Sequence, residues 1–366
     1  MRKIRVLIVD DSVVIRRLLS DILAQDPEIE VAGIAPNGKI ALAKLPQVNP
    51  DLVTLDIEMP EMDGLETLTA LRKTYAKLPV IMFSTLTERG AGATLEALSR
   101  GATDYVTKPA NIGSVAAGIQ NVRQQLIPKI KALCPGILTP PSAVLPVSGP
   151  LPAVAPIRRT AIAHRCDAVV MGSSTGGPQA LAAVLSKLPH DFPVPIVVVQ
   201  HMPPVFTLHL ARRLNDECAL EVAESRGNET LRPGQVLIAP GGFHLELRRQ
   251  GNDVRTVLHD GPPENSCRPA VDVLFRSAAS VYGSACLGVV LTGMGQDGLR
   301  GAQHLIQTGG EVIAQDEATS VVWGMPRAVA QAGCARSILP LSQISSELVR
   351  AAAVGRRPTP LFSTVS

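Results

Sequence analysis

Asp10-Asp11 closes the apolar run 5–9, and Asp56 closes a second run, 52–55. If both runs are neighbouring parallel strands, three carboxylates meet at the carboxyl edge of one sheet, where open α/β folds hold their ligands. Three crowded like charges are costly unless a cation joins them. Oxygen donors with room for water describe a Mg²⁺ site, and a metal-bound Asp56 is a ready acceptor of a phosphoryl group. Run 80–83 ends in Ser84-Thr85, whose hydroxyls can hydrogen-bond a phosphoryl oxygen. Run 104–107 ends in Lys108-Pro109, whose ammonium can hold phosphate as a point charge. A lone Asp after a strand is most often a turn or helix cap. Here the acidic pair, the single Asp, the hydroxyls and the Lys follow separate strands in one order within one domain length. That is the pattern of a phosphorylation switch.

A second set of reactive side chains lies beyond residue 165. Gly172-Ser173-Ser174-Thr175-Gly176 fits G-x-S-x-G, between a strand at 167–171 and a helix opening at Pro178. Flanking glycines let a sharp turn expose a serine hydroxyl at a helix N-terminus, where unpaired N–H groups favour a developing oxyanion. His201 follows strand 196–200 and Asp297 follows strand 287–292. Nucleophile, base and orienting carboxylate thus fall after three strands, as a triad requires. Their order, Ser-His-Asp, is not the order of the α/β-hydrolases. Gly293–Gly298 is also a literal G-x-G-x-x-G, followed by a helix and a strand ending near Asp316-Glu317, which is a dinucleotide fingerprint. The motif comes last in its domain, whereas that fold uses its first βα turn. Spacing alone leaves the nucleotide reading open. No lysine follows Gly176-Gly177, which excludes a Walker loop.

Positioning these groups takes two cores, and 366 residues with 46% hydrophobic content can build them. Strands alternating with helices that begin near Ser12, Gly38, Gly64, Gly90 and Ser114 predict five βα units and a parallel sheet over 1–125. Dense prolines, including Pro135, Pro140, Pro141, Pro146 and Pro150, predict a semi-extended linker over 126–163. From 164 to 352, strands at 167–171, 196–200, 235–239, 254–258, 287–292 and 311–315 alternate with helices. The helices are expected at 178–188, 204–218, 269–282, 298–308 and 325–331. This predicts a three-layer, doubly wound, mostly parallel α/β domain. Strands around 235–258, broken by Gly241-Gly242 and Gly251-Asn252, predict an appended antiparallel hairpin, and 353–366 form a tail.

A net charge of +3 and 3% aromatic residues argue against a nucleic-acid partner. The six cysteines are widely spaced with no C-x-x-C pair, which reads as free cytosolic thiols. Asp10-Asp11 ends the first apolar run too early for a signal peptide, and 193–199 is far short of a membrane span. A cytoplasmic protein with no membrane insertion is expected.

Residues 1 to about 125 resemble a response-regulator receiver domain, through Asp10-Asp11, Asp56, the loop Glu58-Met59-Pro60-Glu61-Met62-Asp63-Gly64, Ser84-Thr85 and Lys108-Pro109. Residues 165–350 resemble the catalytic domain of the chemotaxis protein-glutamate methylesterases, whose N-terminal half is a receiver. The matching stretches begin at Gly172, Gln200, Ile238, Arg268, Leu291 and Ala314. The resemblance implies a flavodoxin-like five-stranded receiver with Asp56 as phosphoacceptor. Asp10, Asp11, Asp56 and the Glu58 backbone carbonyl would hold Mg²⁺, while Ser84 (Thr85 as next choice) and Lys108 would contact the phosphoryl group. Lys108–Pro109 is a candidate cis peptide on the same grounds. In the second domain it implies Ser174 as nucleophile, His201 as general base and acid, Asp297 as orienting carboxylate and the Met294 N–H as an oxyanion donor.

The activity implied is a phosphorylation-activated serine esterase that demethylates glutamate methyl esters on chemoreceptors and deamidates particular receptor glutamines. It implies no cofactor for ester hydrolysis, methylated chemoreceptor cytoplasmic helices as substrate, and a chemotaxis histidine kinase as phosphoryl donor. Ser173 and Gln296 stand where Ala and Asn are expected, and Cys267 stands where His is common before Arg-Pro.

Overall fold

A computed structural model describes residues 2–109, 115–138 and 165–354, which fall into two compact units. In the first, five strands alternate with helices: β1 (Ile4–Val9), α1 (Val13–Ala24), β2 (Ile29–Ala35), α2 (Gly38–Val48), β3 (Leu52–Asp56), α3 (Gly64–Thr74), β4 (Val80–Ser84), α4 (Glu88–Ser99) and β5 (Asp104–Thr107). Helices α5 (Val115–Leu133) and α6 (Pro135–Leu138) follow. The strands pair in parallel in the order β2-β1-β3-β4-β5, the flavodoxin-like arrangement. Every residue of β3 and β4 is buried, which is why these strands read as apolar-rich runs and not as alternating ones.

The four strand-to-helix turns that lead into α1, α2, α3 and α4 each end in a side-chain cap. Ser12, Asn37, Asp63 and Thr87 accept the N–H groups of Ile15, Ile40, Glu66 and Gly90. These caps fix where each loop leaves the sheet. The strand order reverses between β1 and β3, so the crevice outside their carboxyl ends opens between Asp10-Asp11 and Asp56.

The sequence reading placed the end of this domain at 125, but α5 continues to Leu133 with Pro128 inside it. Leu126, Ile130 and Cys134 are buried four residues apart in the first unit's core. That stripe outweighs the one backbone hydrogen bond a proline forfeits. The rest of the expected linker (139–163), the helix start near Ser114 and most of the expected tail lie outside the described residues. α4 begins at Glu88, two residues before the expected glycine. The cis peptide among the described residues is Arg268–Pro269; Lys108–Pro109 is trans.

The second unit runs β6 (Ala168–Ser173), α7 (Gly177–Leu185), β7 (Ile196–Gln200), α8 (Phe206–Glu217), β8 (Glu221–Glu224), β9 (Gln235–Ile238), β10 (His244–Gln250), β11 (Asp253–His259) and α9 (Val271–Tyr282). It continues with β12 (Cys286–Val290), α10 (Leu299–Gln307), β13 (Glu311–Gln315), α11 (Met325–Gln331), β14 (Ser337–Leu339) and α12 (Leu341–Ala353). Seven strands pair in parallel in the order β14-β13-β12-β6-β7-β9-β8. One large core joins strand residues Val170, Val197 and Val290 to Leu274 and Phe275 of α9, Leu305 of α10 and Val329 of α11.

The antiparallel hairpin differs from expectation in one respect. β9 belongs to the parallel sheet, and the hairpin is β10–β11, a separate two-stranded sheet turning at Gly251-Asn252. Its Leu245, Leu247 and Val254 pack into the core beside α9. The first strand, β6, lies between β7 and β12, so the chain winds outward in both directions from it. The ligand-holding crevice of such a sheet opens at that point. No described helix is long and apolar enough to cross a membrane.

Candidate functional site

At the β1/β3 crevice of the first unit, ligand oxygens of Asp10, Asp11 and Asp56 lie within 4.8 Å of one another. Asp10 and Asp56 are buried and Asp11 is exposed. Lys108, after β5, reaches across with its Nζ 2.8 Å from Asp56 Oδ2 and 3.1 Å from Asp10 Oδ2. Apart from that ammonium, neither oxygen has a hydrogen-bond partner among the described residues. Asp10 Oδ1 accepts the Ser12 N–H at 2.9 Å, and Arg16 Nη1 donates to the carbonyls of Asp10 and Asp11.

Burial, and next the charge of Asp10, push the Asp56 carboxyl up to about 6. Burial raises Asp10 as well. Burial alone would lower Lys108, but its contacts with the two carboxylates outweigh this and raise it. An all-oxygen donor set, short of positive charge and open on the Asp11 side, fits a hard divalent cation such as Mg²⁺.

Ser84 ends β4, but its buried hydroxyl donates to the Gly90 carbonyl at 3.1 Å, with no hydrogen bond to Asp56 among the described residues. Thr85 Oγ1 lies 3.0 Å from Thr87 Oγ1. Glu58 follows β3 by two residues, with its side chain 3.4 Å from Arg89. A cavity of about 720 Å³ beside this site is lined by Asp11, Glu58, Met59, Asp63 and Arg89 among others.

In the second unit, Ser174, His201 and Asp297 follow β6, β7 and β12, three adjacent strands. Ser174 is fixed by its backbone: its N–H donates to the Thr292 carbonyl at 3.0 Å, and its own carbonyl accepts Gly177 N–H at 2.7 Å. Gln200 Nε2 also donates to that carbonyl. The turn depends on Gly176, at φ +75°, where a Cβ would lie 2.6 Å from Val321. Gly293 is pressed against Ser174, since a Cβ there would sit 2.8 Å from Ser174 Cβ and 2.4 Å from Met325 Sδ. Gly293 is held in turn, donating to Val322 and accepting from Gly324 and Met325. The next peptide N–H, that of Met294, has no protein acceptor among the described residues.

His201 Nε2 lies 2.8 Å from Asp297 Oδ2. This carboxylate also accepts the first-turn N–H groups of α9: Val271 to Oδ2 at 2.6 Å and Asp272 to Oδ1 at 3.1 Å. Gly298 N–H and Asn265 Nδ2 add further bonds to Oδ1. Burial would raise Asp297, but His201 and these donors outweigh it and hold it below the usual carboxylate value. Burial would likewise lower His201, but the bonds to Asp297 and Cys267 outweigh it and push the imidazole up. With Nε2 committed to Asp297, Nδ1 is the ring nitrogen not paired with a carboxylate. It lies 3.6 Å from Cys267 Sγ, and no hydrogen bond joins it to Ser174 in this conformation.

Residues 169–348 match the family model of the CheB methylesterase, and residues 6–120 match that of the response regulator receiver domain. A protein-glutamate methylesterase/protein-glutamine glutaminase of Trichodesmium erythraeum is 53% identical over 354 residues, covering 96% of this chain and 99% of its own. The chain belongs to the CheB methylesterase family. A Nocardioides relative of the same name is 55% identical over 359 residues, covering 96% of each chain. The Thermotoga maritima CheB methylesterase catalytic domain, a solved crystal structure, is 46% identical with TM-score 0.50, over 51% of this chain and 99% of that one.

Within this CheB-family chain, the departures noted in the sequence have distinct surroundings. The Ser173 hydroxyl donates to Gln200 Oε1 at 2.7 Å, locking the amide that holds Ser174. Gln296 is exposed, whereas Cys267 Sγ lies beside His201 Nδ1. Arg213 pairs with Glu217, and Arg268 donates to the carbonyls of Asp260 and Gly261. The sequence reading gave no role to Gln200, Asn265, Asp272 or Thr292. Gln200 and Asp272 lie inside matched motifs and were findable there; Asn265 carried no signal. In the Gly293–Gly298 loop that the nucleotide reading would give to phosphates, Gly293 is packed on Ser174 and Asp297 is bonded to His201.

Proposed function

We propose that this chain is a phosphorylation-activated serine esterase that releases methanol from glutamate methyl esters on chemoreceptor helices, and ammonia from particular receptor glutamines. The 2.8 Å His201–Asp297 contact beside the Gly172–Gly176 turn is the observation that carries this reading. Asp297 keeps the proton on His201 Nε2 and so leaves Nδ1 basic. As Ser174 Oγ attacks the ester carbonyl carbon, Nδ1 takes the hydroxyl proton, and negative charge moves to the carbonyl oxygen. The Met294 N–H is the donor suited to that oxyanion. Collapse of the tetrahedral adduct breaks the carbon–methoxy bond, and His201 returns the proton to give methanol. Water then attacks the acyl-serine by the same route in reverse and frees a glutamate. An amide passes through the same adduct and loses ammonia instead.

In the receiver, Asp56 is the phosphoacceptor, and Lys108 offers its ammonium to the incoming oxygens. Asp10, Asp11 and Asp56, with the Glu58 carbonyl, would hold Mg²⁺, which when bound neutralises charge that builds up during phosphoryl transfer. For Ser84 to reach the phosphoryl group, its hydroxyl has to leave the Gly90 carbonyl. The phosphoryl donor is a chemotaxis histidine kinase, and the setting is the cytoplasm. The decisive experiment measures methanol release from methylated receptor with and without a small phosphodonor. No release under either condition would reject the esterase reading.

A further inference from the structure

Among the donors that hold Asp297 is one side chain that the reaction scheme does not use. Asn265 Nδ2 lies 2.8 Å from Asp297 Oδ1 and 2.9 Å from Asp272 Oδ2. Asp272 is also buried, and its other oxygen accepts the Gly301 N–H at 2.7 Å. Two buried carboxylates therefore face one amide, whose two N–H bonds can be given one to each. Buried like charges repel, and a shared donor offsets part of that cost. We propose that Asn265 is a positioning residue for the His201–Asp297 pair, fixing the Asp297 carboxylate through the oxygen that His201 does not use. The role rests on the triad reading above.

The local backbone suits this task. Glu264 and Cys267 exchange N–H···O bonds of 3.1 and 2.8 Å around Asn265 and Ser266, whose φ values are +51° and +62°. Two successive positive φ angles in a two-residue reversal are the type I′ pattern, which Asn tolerates better than most side chains. Arg276 of α9 binds both Glu264 oxygens, at 2.9 and 2.5 Å, and ties the turn to the helix that Asp297 caps. The last residue of the turn, Cys267, touches His201 Nδ1. One short reversal thus contacts both members of the pair.

A purely conformational role for Asn265 predicts different behaviour, which three variants of the full chain can separate. Asn265→Gly keeps the positive φ and removes the amide. Asn265→Asp keeps shape and turn preference but presents a third carboxylate. Asn265→Ala loses both amide and turn preference. Losing a hydrogen bond to a charged group predicts a fall of about tenfold or more in kcat for Asn265→Gly, with KM unchanged and the melting temperature lowered, because the two buried carboxylates lose their shared donor. Asn265→Asp should fall further. In the NMR spectrum, the low-field proton of His201 Nε2–H should move or broaden in both variants. Wild-type kcat in Asn265→Gly with an unmoved proton would overturn the proposal, as would a loss confined to Asn265→Ala. If the wild-type protein releases no methanol, the esterase reading fails, while the proton resonance still decides the role of Asn265.

Discussion

Replacing Asp297 by Asn is the sharpest test of the catalytic reading, because the hydrogen bonds around this side chain dictate how the amide must sit. Asp297 Oδ1 faces three donors, from Asn265, Asp272 and Gly298, and Oδ2 faces two, from His201 and Val271. An amide has one acceptor oxygen, so its NH₂ must confront one of these sets. Turning NH₂ toward His201 leaves fewer clashes, and one is relieved if the imidazole moves its proton to Nδ1. That relief removes the base. The expected loss is about four orders of magnitude in kcat, or about 5 kcal/mol of transition-state stabilisation, with little change in KM. The Val271 N–H loses its acceptor, so stability should drop by about 1–3 kcal/mol, readable as a lower melting temperature. The pH profile adds a signed check. Ester hydrolysis needs neutral His201, and Asp297 helps to raise the pKa of that imidazole despite burial. The acid limb of kcat/KM should therefore lie above the ordinary imidazole value in the wild type, and move to lower pH in Asp297→Asn. Stopped-flow or discontinuous methanol assays across pH on a methylated receptor fragment would measure both. Turnover close to wild type with an unshifted acid limb would refute the reasoning.

Ser174→Ala should lose on the order of 10⁴ or more in esterase rate while the receiver still accepts phosphate, and near-normal methanol release would remove the triad assignment. Asp56→Asn should abolish Mg²⁺-dependent acyl-phosphate formation, measured with radiolabelled phosphodonor, and leave basal hydrolysis intact; loss of basal activity in a folded variant would contradict this. Gly293→Ala forces a methyl group to within 2.8 Å of Ser174 Cβ, so kcat should fall without loss of receiver phosphorylation, and an unaffected rate would show that the loop can yield.

Much of this was legible because the reactive groups follow strands whose edges are written in plain apolar runs. Residues 104–107 and 196–200 read from sequence as the strands they form. Elements at the margins were not legible. β8 reads Glu-Val-Ala-Glu, too charged to resemble its neighbours, and β14 spans three residues at the sheet edge. α12 starts after Pro340 with no side-chain cap to announce it. α5 runs past the expected domain end at 125 with Pro128 inside it, because Leu126 and Ile130 are buried. Asn265 was invisible for another reason. Its partner Asp297 is 32 residues away, and a reversal built on Asn and Ser without glycine looks like any polar loop.

The way Ser174, His201 and Asp297 hang from the sheet bears on how the enzyme would lose its activity. Ser174 and His201 directly follow β6 and β7, and Asp297 sits in the loop between β12 and α10; every residue of these three strands is buried. Central strands of this kind exchange their amide hydrogens only when a whole domain opens. The triad should therefore survive every partial opening and disappear only with the cooperative unit. The turn at 264–267 is different, with exposed Asn265 and Ser266 off the ladder. Warming or mild denaturant should release this turn first, so there should be a window in which the enzyme is slow but not unfolded, and recovers at once on cooling.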